Sequence, residues 1–211
     1  MPQSLFEILY FLIALVIAIS VHEFAHAFVA YKLGDPTAKY HGRLTLNPLA
    51  HLDPLGTLMI FIAHFGWGKP VPVNPYHFKN PVKDSALVSL AGPMSNFLVA
   101  FLFALPLKYF SGYFPVEVLI ILWAIVDLNI LLGIFNLLPF PPLDGSKIFA
   151  VFIPAARQNA YFNFLQKAQP YFFVFILVDI FFLPRILGFS LLWIVLGNLF
   201  DFIKTIIFLG S

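Results

Sequence analysis

The fold is decided by residues 5–31, which read LFEILYFLIALVIAISVHEFAHAFVAY. A run of about 20 apolar residues is enough to cross the hydrocarbon core of a bilayer as a helix. Three titratable residues, His22, Glu23 and His26, lie near the C-terminal end of this run. The Gly-Asp-Pro sequence at 34–36 then predicts the end of the helix. These residues predict a transmembrane helix that carries a polar site at one end.

The composition of the whole chain agrees with a membrane protein. Of its 211 residues, 61% are hydrophobic and only 10% are charged, whereas a soluble domain carries roughly 25% charged residues. The net charge of +2 gives no electrostatic support for a nucleic-acid partner. The sequence has no cysteine, which excludes disulfides and thiolate metal sites.

The apolar segments predict an all-α polytopic membrane protein with about five transmembrane helices. After the first helix, the predicted spans lie at about 84–107, 116–138, 171–183 and 187–209. Residues 1–158 are expected to form a membrane-embedded core, and 159–211 to add the C-terminal transmembrane helices of the same domain.

Residues 34–83 differ from the spans because they are rich in proline, glycine and asparagine. Within them, 55–65 is apolar but too short to span, so it is predicted to be a re-entrant or short helical segment. Residues 43–46 alternate polar and apolar side chains, which predicts a small β-element.

The positive charges predict the orientation in the membrane. With five spans, nine lysines and arginines fall on one side, and only Lys108 and Arg185 fall on the other. Because positive loops stay in the cytoplasm, the N-terminus is predicted to lie outside and the 34–83 loop inside. The nine residues are Lys32, Lys39, Arg43, Lys69, Lys79, Lys83, Lys147, Arg157 and Lys167.

His22 and His26 are spaced to hold one metal ion. Residues i and i+4 share a helical face, so both imidazoles reach the same point, and Glu23 lies beside that face. A carboxylate there can deprotonate a metal-bound water. Zinc suits such ligands, and a catalytic zinc keeps one coordination position open. Ionisable residues inside a membrane helix indicate function, because they are costly unless paired or coordinating.

The third ligand is expected to be Asp144. It ends the polar stretch NLLPFPPLDG at 136–145, and the predicted topology returns it to the membrane side of His22 and His26. The alternative is that Asp144 caps a short helix that begins at this point.

At this point the chain resembles the site-2 protease family of intramembrane zinc metalloproteases, in its short prokaryotic branch. The resemblance covers Val21 to about Ile148. It rests on HEFAH at 22–26, GRLTLNP at 42–48, GWGKPVPVNP at 66–75, AGPMSN at 91–96 and NLLPFPPLDG at 136–145.

The resemblance implies one zinc per chain, bound by His22, His26 and Asp144, with Glu23 as the catalytic base. Asn96 matches a family asparagine that is thought to assist substrate binding or the transition state. An interhelical hydrogen bond is the alternative role for such an amide. Asn136 is a further candidate for substrate or transition-state support.

A locally unwound substrate segment is expected to pair with an exposed strand edge near the zinc. The residues expected to form that edge are Arg43, Leu44, Thr45, Leu46 and Asn47. A hairpin that only supports the helices is the alternative.

Six further polar residues have no assigned role. His41, His51, His64 and His77 are expected to serve ordinary loop functions, and the alternative is that one of them is an extra ligand or a substrate contact. Asp127 and Asp179 lie inside predicted spans, where a buried partner on another helix is the simplest role, and a water path to the metal is the alternative.

The predicted function is hydrolysis of peptide bonds in or near transmembrane segments of membrane proteins, in the cell membrane of a prokaryote and close to the cytoplasmic side. The substrate is expected to be locally unwound, because helical carbonyls are otherwise engaged in hydrogen bonds. The alternatives are a membrane metal-ion transporter, a soluble-facing zinc protease anchored by helices, and a catalytically silent protein that binds membrane substrates.

Overall fold

The computed structural model describes residues 5–63 and 66–209. Within these ranges the protein is all-helical, with no sheet. The helices are α1 (Leu5–Lys32), α2 (Thr37–Tyr40), α3 (Pro54–Ala63), α4 (Pro81–Phe110), α5 (Val116–Leu137), α6 (Asp144–Phe149), α7 (Ala155–Phe181), α8 (Leu183–Ile186) and α9 (Leu191–Ile207).

Four helices are long and apolar enough to cross a membrane: Phe6–Lys32, Pro81–Tyr113, Val116–Leu137 and Ala155–Ile186. Helix α9 has 17 residues, a length of about 26 Å that lies at the lower limit for a span. The prediction of an all-α membrane protein is confirmed, whereas the prediction of five spans is not supported.

Helices α1, α4 and α5 form the centre of the bundle. Their contact surfaces carry small residues: Ala14 and Ala18 on α1 are fully buried, as is Ala100 on α4. Small side chains let membrane helices approach closely, so van der Waals packing holds them together. Ala14, Val99 and Ile125 make one buried cluster that joins all three helices.

Helix α9 packs antiparallel along α5. The Lys204 ammonium lies 2.6 Å from the Asp127 carboxylate, and Phe208 stacks on Trp123 at 5.0 Å. From Lys204 to Phe208 the chain advances four residues along α9, while the partners on α5 move back four residues, from Asp127 to Trp123. The two helices are therefore antiparallel. At the opposite end, Leu192 joins a cluster near the C-terminus of α5. Thus α9 begins at the α6 end of the bundle and ends beside the start of α5.

Helix α7 contacts the rest of the protein only at that same α6 end, as far as the described contacts show. The Tyr161 hydroxyl donates to Ser146 O at 2.7 Å, Phe172 stacks on Phe140 at 5.9 Å, and Asp179 accepts from Leu191 N at the start of α9. The predicted span 171–183 is the second half of this longer helix, since Pro170 does not interrupt it.

The predicted β-element is wrong. Residues 43–47 are irregular, and the described chain has only an isolated bridge between Leu52 and Gly68. Local partners use the backbone of this stretch: Arg43 N donates to Ala38 O, Thr45 O accepts from His51, and Asn47 N donates to the Thr45 hydroxyl. Such local bonds compete with strand pairing. The predicted segment 55–65 is a short helix as far as Ala63, and residues 64 and 65 lie outside the described ranges.

The register of α9 on α5 is open to a cross-linking test. Because the sequence has no cysteine, a bifunctional thiol reagent will join only introduced residues. We expect Asp127→Cys with Lys204→Cys to cross-link readily, since these side chains contact each other. The matched control is Asp127→Cys with Leu192→Cys. Leu192 lies about 18 Å from Lys204 along α9, so this pair should not cross-link. Equal cross-linking of both pairs would contradict the antiparallel register.

Candidate metal centre

Helix α1 places His22 and His26 one turn apart on the same face. Both side chains are buried, with 5% and 8% of their surface exposed. Their Nε2 atoms are 3.0 Å apart. The helical spacing alone therefore brings two imidazole nitrogens to one point, as the sequence predicts.

Asp144 reaches the same point from α6. Its Oδ2 lies 3.2 Å from His22 Nε2 and 3.1 Å from His26 Nε2. A glycine at 145 permits this approach, because a Cβ there would lie 2.2 Å from Leu137 O at the end of α5. Leu143 is the N-cap of α6, and Asp144 is the first residue of the helix, with its Oδ2 at the two imidazoles.

The three donor atoms fit a zinc ion. Their separations of 3.0–3.2 Å are close to the ~3.3 Å between ligand atoms of a tetrahedral zinc site. Two imidazoles and a carboxylate are also a usual ligand set for catalytic zinc. Lone pairs this close repel one another, and a cation among them removes that repulsion.

Hydrogen bonds behind each imidazole set its tautomer. His26 Nδ1 lies 2.7 Å from Val88 O, and a main-chain carbonyl only accepts, so Nδ1 carries the hydrogen. His22 Nδ1 lies 2.6 Å from Asn96 Oδ1 and donates to it. Both rings therefore present the unprotonated Nε2 to the metal position, the usual arrangement for a metal-ligating histidine.

Asn96 lies behind His22 and is fully buried. Its amide nitrogen donates to Ala18 O at 3.0 Å and to Asn129 Oδ1 at 2.8 Å. Both of its donors are thus used inside the protein, as expected for an interhelical hydrogen bond. A direct role in the transition state stays a prediction.

Two residues of this arrangement were missed by the sequence analysis. Asn129 is one, and its only signal was an amide inside an apolar helix. Gly92 is the other: a Cβ there would lie 2.5 Å from the His26 ring and 2.6 Å from His22 Cε1. Its signal was a Gly-Pro pair, which the sequence analysis did not connect with close contact to the imidazoles.

Glu23 is held by the irregular segment that follows Gly68. Its Oε2 accepts from Val71 N at 3.0 Å. The guanidinium of Arg43 donates to Lys69 O in the same segment and is 4% exposed. Burial lowers the pKa of Arg43, and the nearby Glu23 carboxylate partly offsets that effect. The Arg43 side chain is therefore turned inward and is not available at an exposed edge. Leu46 and Asn47 are exposed. Pairing of residues 43–47 with substrate stays a prediction.

The remaining candidate residues lie outside this cluster. The Asn136 amide donates to Leu132 O in its own helix. His51 is fully buried and contacts Thr45 O, His77 contacts Asp35, and His41 is exposed. His64 lies outside the described residues. Asp127 binds Lys204, and Asp179 binds the start of α9, in agreement with partners between helices.

Comparisons with known proteins identify the family. The model of peptidase family M50 matches residues 114–179, which include α5 and Asp144. "Putative zinc metalloprotease YwhC" of Bacillus subtilis (strain 168) is 43% identical over 201 residues, covering 91% of this chain and 87% of the relative. "Putative zinc metalloprotease Rip2" of Mycobacterium tuberculosis (strain H37Rv) is 33% identical over 180 residues, covering 82% and 66%.

The chain therefore belongs to peptidase family M50, the zinc metalloproteases of the site-2 type, and the resemblance seen in the sequence is confirmed. A more distant relative, "Zinc metalloprotease MJ0392" of Methanocaldococcus jannaschii, is 26% identical over 152 residues, covering 70% of this chain and 35% of the relative. No solved structure matches the chain.

Gly92 provides a test of the metal site that changes no ligand. The added methyl group of Gly92→Ala would collide with both imidazoles, so we expect zinc affinity to fall about 10- to 100-fold, as it does when ligand orientation is lost. Gly112→Ala is the control, since nothing lies within 4 Å of a Cβ at that position. Metal titration of both purified variants measures the effect. Unchanged affinity in Gly92→Ala would contradict the described packing.

Proposed function

We propose that this M50 protein hydrolyses peptide bonds in or next to transmembrane segments of membrane-protein substrates, with one zinc held by His22, His26 and Asp144. The observation that carries the proposal is the convergence of these three donors at 3.0–3.2 Å from two separate helices, with Glu23 next to them in sequence. A metal transporter does not need such a non-ligating carboxylate. The relatives, named as zinc metalloproteases, do not favour that alternative or a silent binding protein.

Zinc held by His22, His26 and Asp144 would supply a Lewis acid and would lower the pKa of a water molecule. Glu23 would be the base for that water and would return a proton to the leaving amine. The Val71 N–H holds one carboxylate oxygen of Glu23 and leaves the other free to accept the proton. His22, His26 and Asp144 keep their three donor atoms 3.0–3.2 Å apart, which defines the position of the metal.

The position of the site favours an unwound substrate. The three ligands are buried in a bundle of apolar helices, which supports a substrate that approaches from the lipid. In a helical segment every carbonyl is engaged in an i to i−4 hydrogen bond. Segments with glycine, proline or asparagine should unwind at lower cost and be cut faster.

The catalytic assignment predicts two separable effects. We expect Glu23→Gln to lower cleavage of a co-expressed single-span membrane protein by at least about 100-fold. This variant should still bind about one zinc per chain, because Glu23 is not a ligand.

His22→Ala, His26→Ala and Asp144→Ala should each lose most of the zinc as well as the cleavage. Elemental analysis of the purified variants, beside a cleavage assay, separates the two groups. Zinc lost from Glu23→Gln but kept by Asp144→Ala would overturn the ligand assignment.

We further propose that α1, α4, α5 and α9 cross the membrane, while α7 stays at the α6 end of the bundle. This topology rests on the antiparallel contact of α9 with α5. It keeps the charge asymmetry of the five-span arrangement, because Arg185 joins the nine positive residues near the metal site while Lys204, near the end of α9, joins Lys108 on the other side. The active site would then face the cytoplasm and the start of α1 the outside.

Introduced cysteines distinguish this topology from one with five spans. In intact cells, a membrane-impermeant thiol reagent should react at Gly112→Cys and not at Lys39→Cys or Arg157→Cys. Both topologies share these outcomes. Gly188→Cys decides between them: it should be protected if α7 stays on the inner side, and it should react if α7 crosses. Reaction at position 39 would reverse the orientation.

A further inference from the structure

Asn129 is a buried amide in the middle of α5, and nothing in the proposed chemistry accounts for it. Its side chain is fully buried between apolar neighbours such as Ile125 and Ile130. A buried amide is costly unless its donors and acceptors are paired. Its pairing partners therefore indicate its role.

Asn129 stands at the end of a continuous chain of hydrogen bonds that leads to the metal site. Its Nδ2 donates to Ile125 O at 2.8 Å, and its Oδ1 accepts from Asn96 Nδ2 at 2.8 Å. Asn96 Oδ1 in turn accepts from His22 Nδ1 at 2.6 Å. Two of these three hydrogen bonds join helices, one between α5 and α4 and one between α4 and α1.

Main-chain carbonyls fix the direction of every bond in this chain. Ile125 O only accepts, so the nitrogen of Asn129 must face it, and the Asn129 oxygen must face Asn96. Ala18 O also only accepts and takes the second hydrogen of Asn96. The oxygen of Asn96 is then left for His22, whose Nδ1 must donate.

We propose that Asn129 is a positioning residue that acts through Asn96 to hold the His22 ring with its Nε2 towards the metal. The inference rests on the proposed role of His22 as a ligand. His26 needs no such relay, because a main-chain carbonyl, Val88 O, binds its Nδ1 directly. His22 has an amide in that place, and this amide keeps its orientation because both hydrogens of its nitrogen are paired, one with Ala18 O and one with Asn129.

With this role, α5 sets the positions of two of the three ligands, Asp144 and His22. The end of α5 lies against Gly145 and so sets the position of Asp144. Asn129, two turns earlier on α5, sets the ring of His22. A displacement of α5 would therefore disturb both ligands together.

The test measures zinc affinity of the full-length protein in detergent, by competition with a chromogenic chelator. Asn129→Ser keeps a hydroxyl that can donate to Ile125 O but is too short to accept from Asn96. We expect its zinc affinity to fall about 10- to 100-fold, the usual loss when an outer-shell partner is removed. Asn129→Asp keeps the acceptor for Asn96 and should retain most of the affinity. Asn198→Leu removes an amide that also bonds one turn back, at Ile194 O, and should change nothing.

The order of zinc affinity among the variants tests the proposal. A merely structural role would make Asn129→Asp at least as harmful as Asn129→Ser, because it buries an acid, and that result overturns the proposal. Equal zinc affinity in Asn129→Ser and the native protein also overturns it. His22→Ala separates this failure from a failure of the ligand assignment, since that variant keeps its zinc only if His22 is not a ligand. In the zinc-free protein, nitrogen-15 NMR of the His22 ring should show the Nδ1–H tautomer in the native chain and in Asn129→Asp, but a mixture in Asn129→Ser.

Discussion

The structure depends on holding two imidazoles and a carboxylate about 3 Å apart inside a bundle of apolar helices. Such a cluster is unfavourable in a low dielectric unless a cation and hydrogen-bond partners compensate it. The helices supply those partners from behind, through Val88 O and Asn96. Around the site, neighbouring atoms approach Gly92 and Gly145 so closely that a Cβ would not fit at either position. The contacts that pack the helices together at these glycines therefore also position the metal ligands.

The three ligands differ in how firmly the fold holds them. His22 and His26 belong to a continuous helix, and their separation follows from the helical repeat. Asp144 lies after a proline-rich turn, so its position depends on how α6 rests against the end of α5. The contact of Gly145 with Leu137 O fixes that position without any side chain. Because α5 also carries Asn129, one helix links the carboxylate ligand to the orientation of an imidazole.

The sequence was sufficient for features that depend on local spacing. The helical repeat predicts the His22–His26 pair, and the return of the chain to the same side predicts Asp144. The β-element at 43–47 was not predictable from alternation, because Thr45 and Asn47 form local bonds that replace strand pairing. The hydrogen bonds through Asn129 could not be predicted either, since they join residues far apart in sequence: Asn96 and Asn129 are 33 positions apart, and His22 and Asn96 are 74 positions apart. Packing between helices decides such contacts, and no short pattern encodes them.

The arrangement of α7 and α9 follows from where their polar residues find partners. Asp179 near the end of α7 binds the free N–H groups at the start of α9, an interaction that the helix dipole favours. Lys204 near the end of α9 binds Asp127 on α5 and lies over the Trp123 ring. In lipid each of these groups would be costly alone. Their pairing fixes one end of α9 at the metal side and the other at the far side, so α9 closes the bundle beside α5. Helix α7 is left at the periphery next to α6, where it covers the polypeptide that carries Asp144.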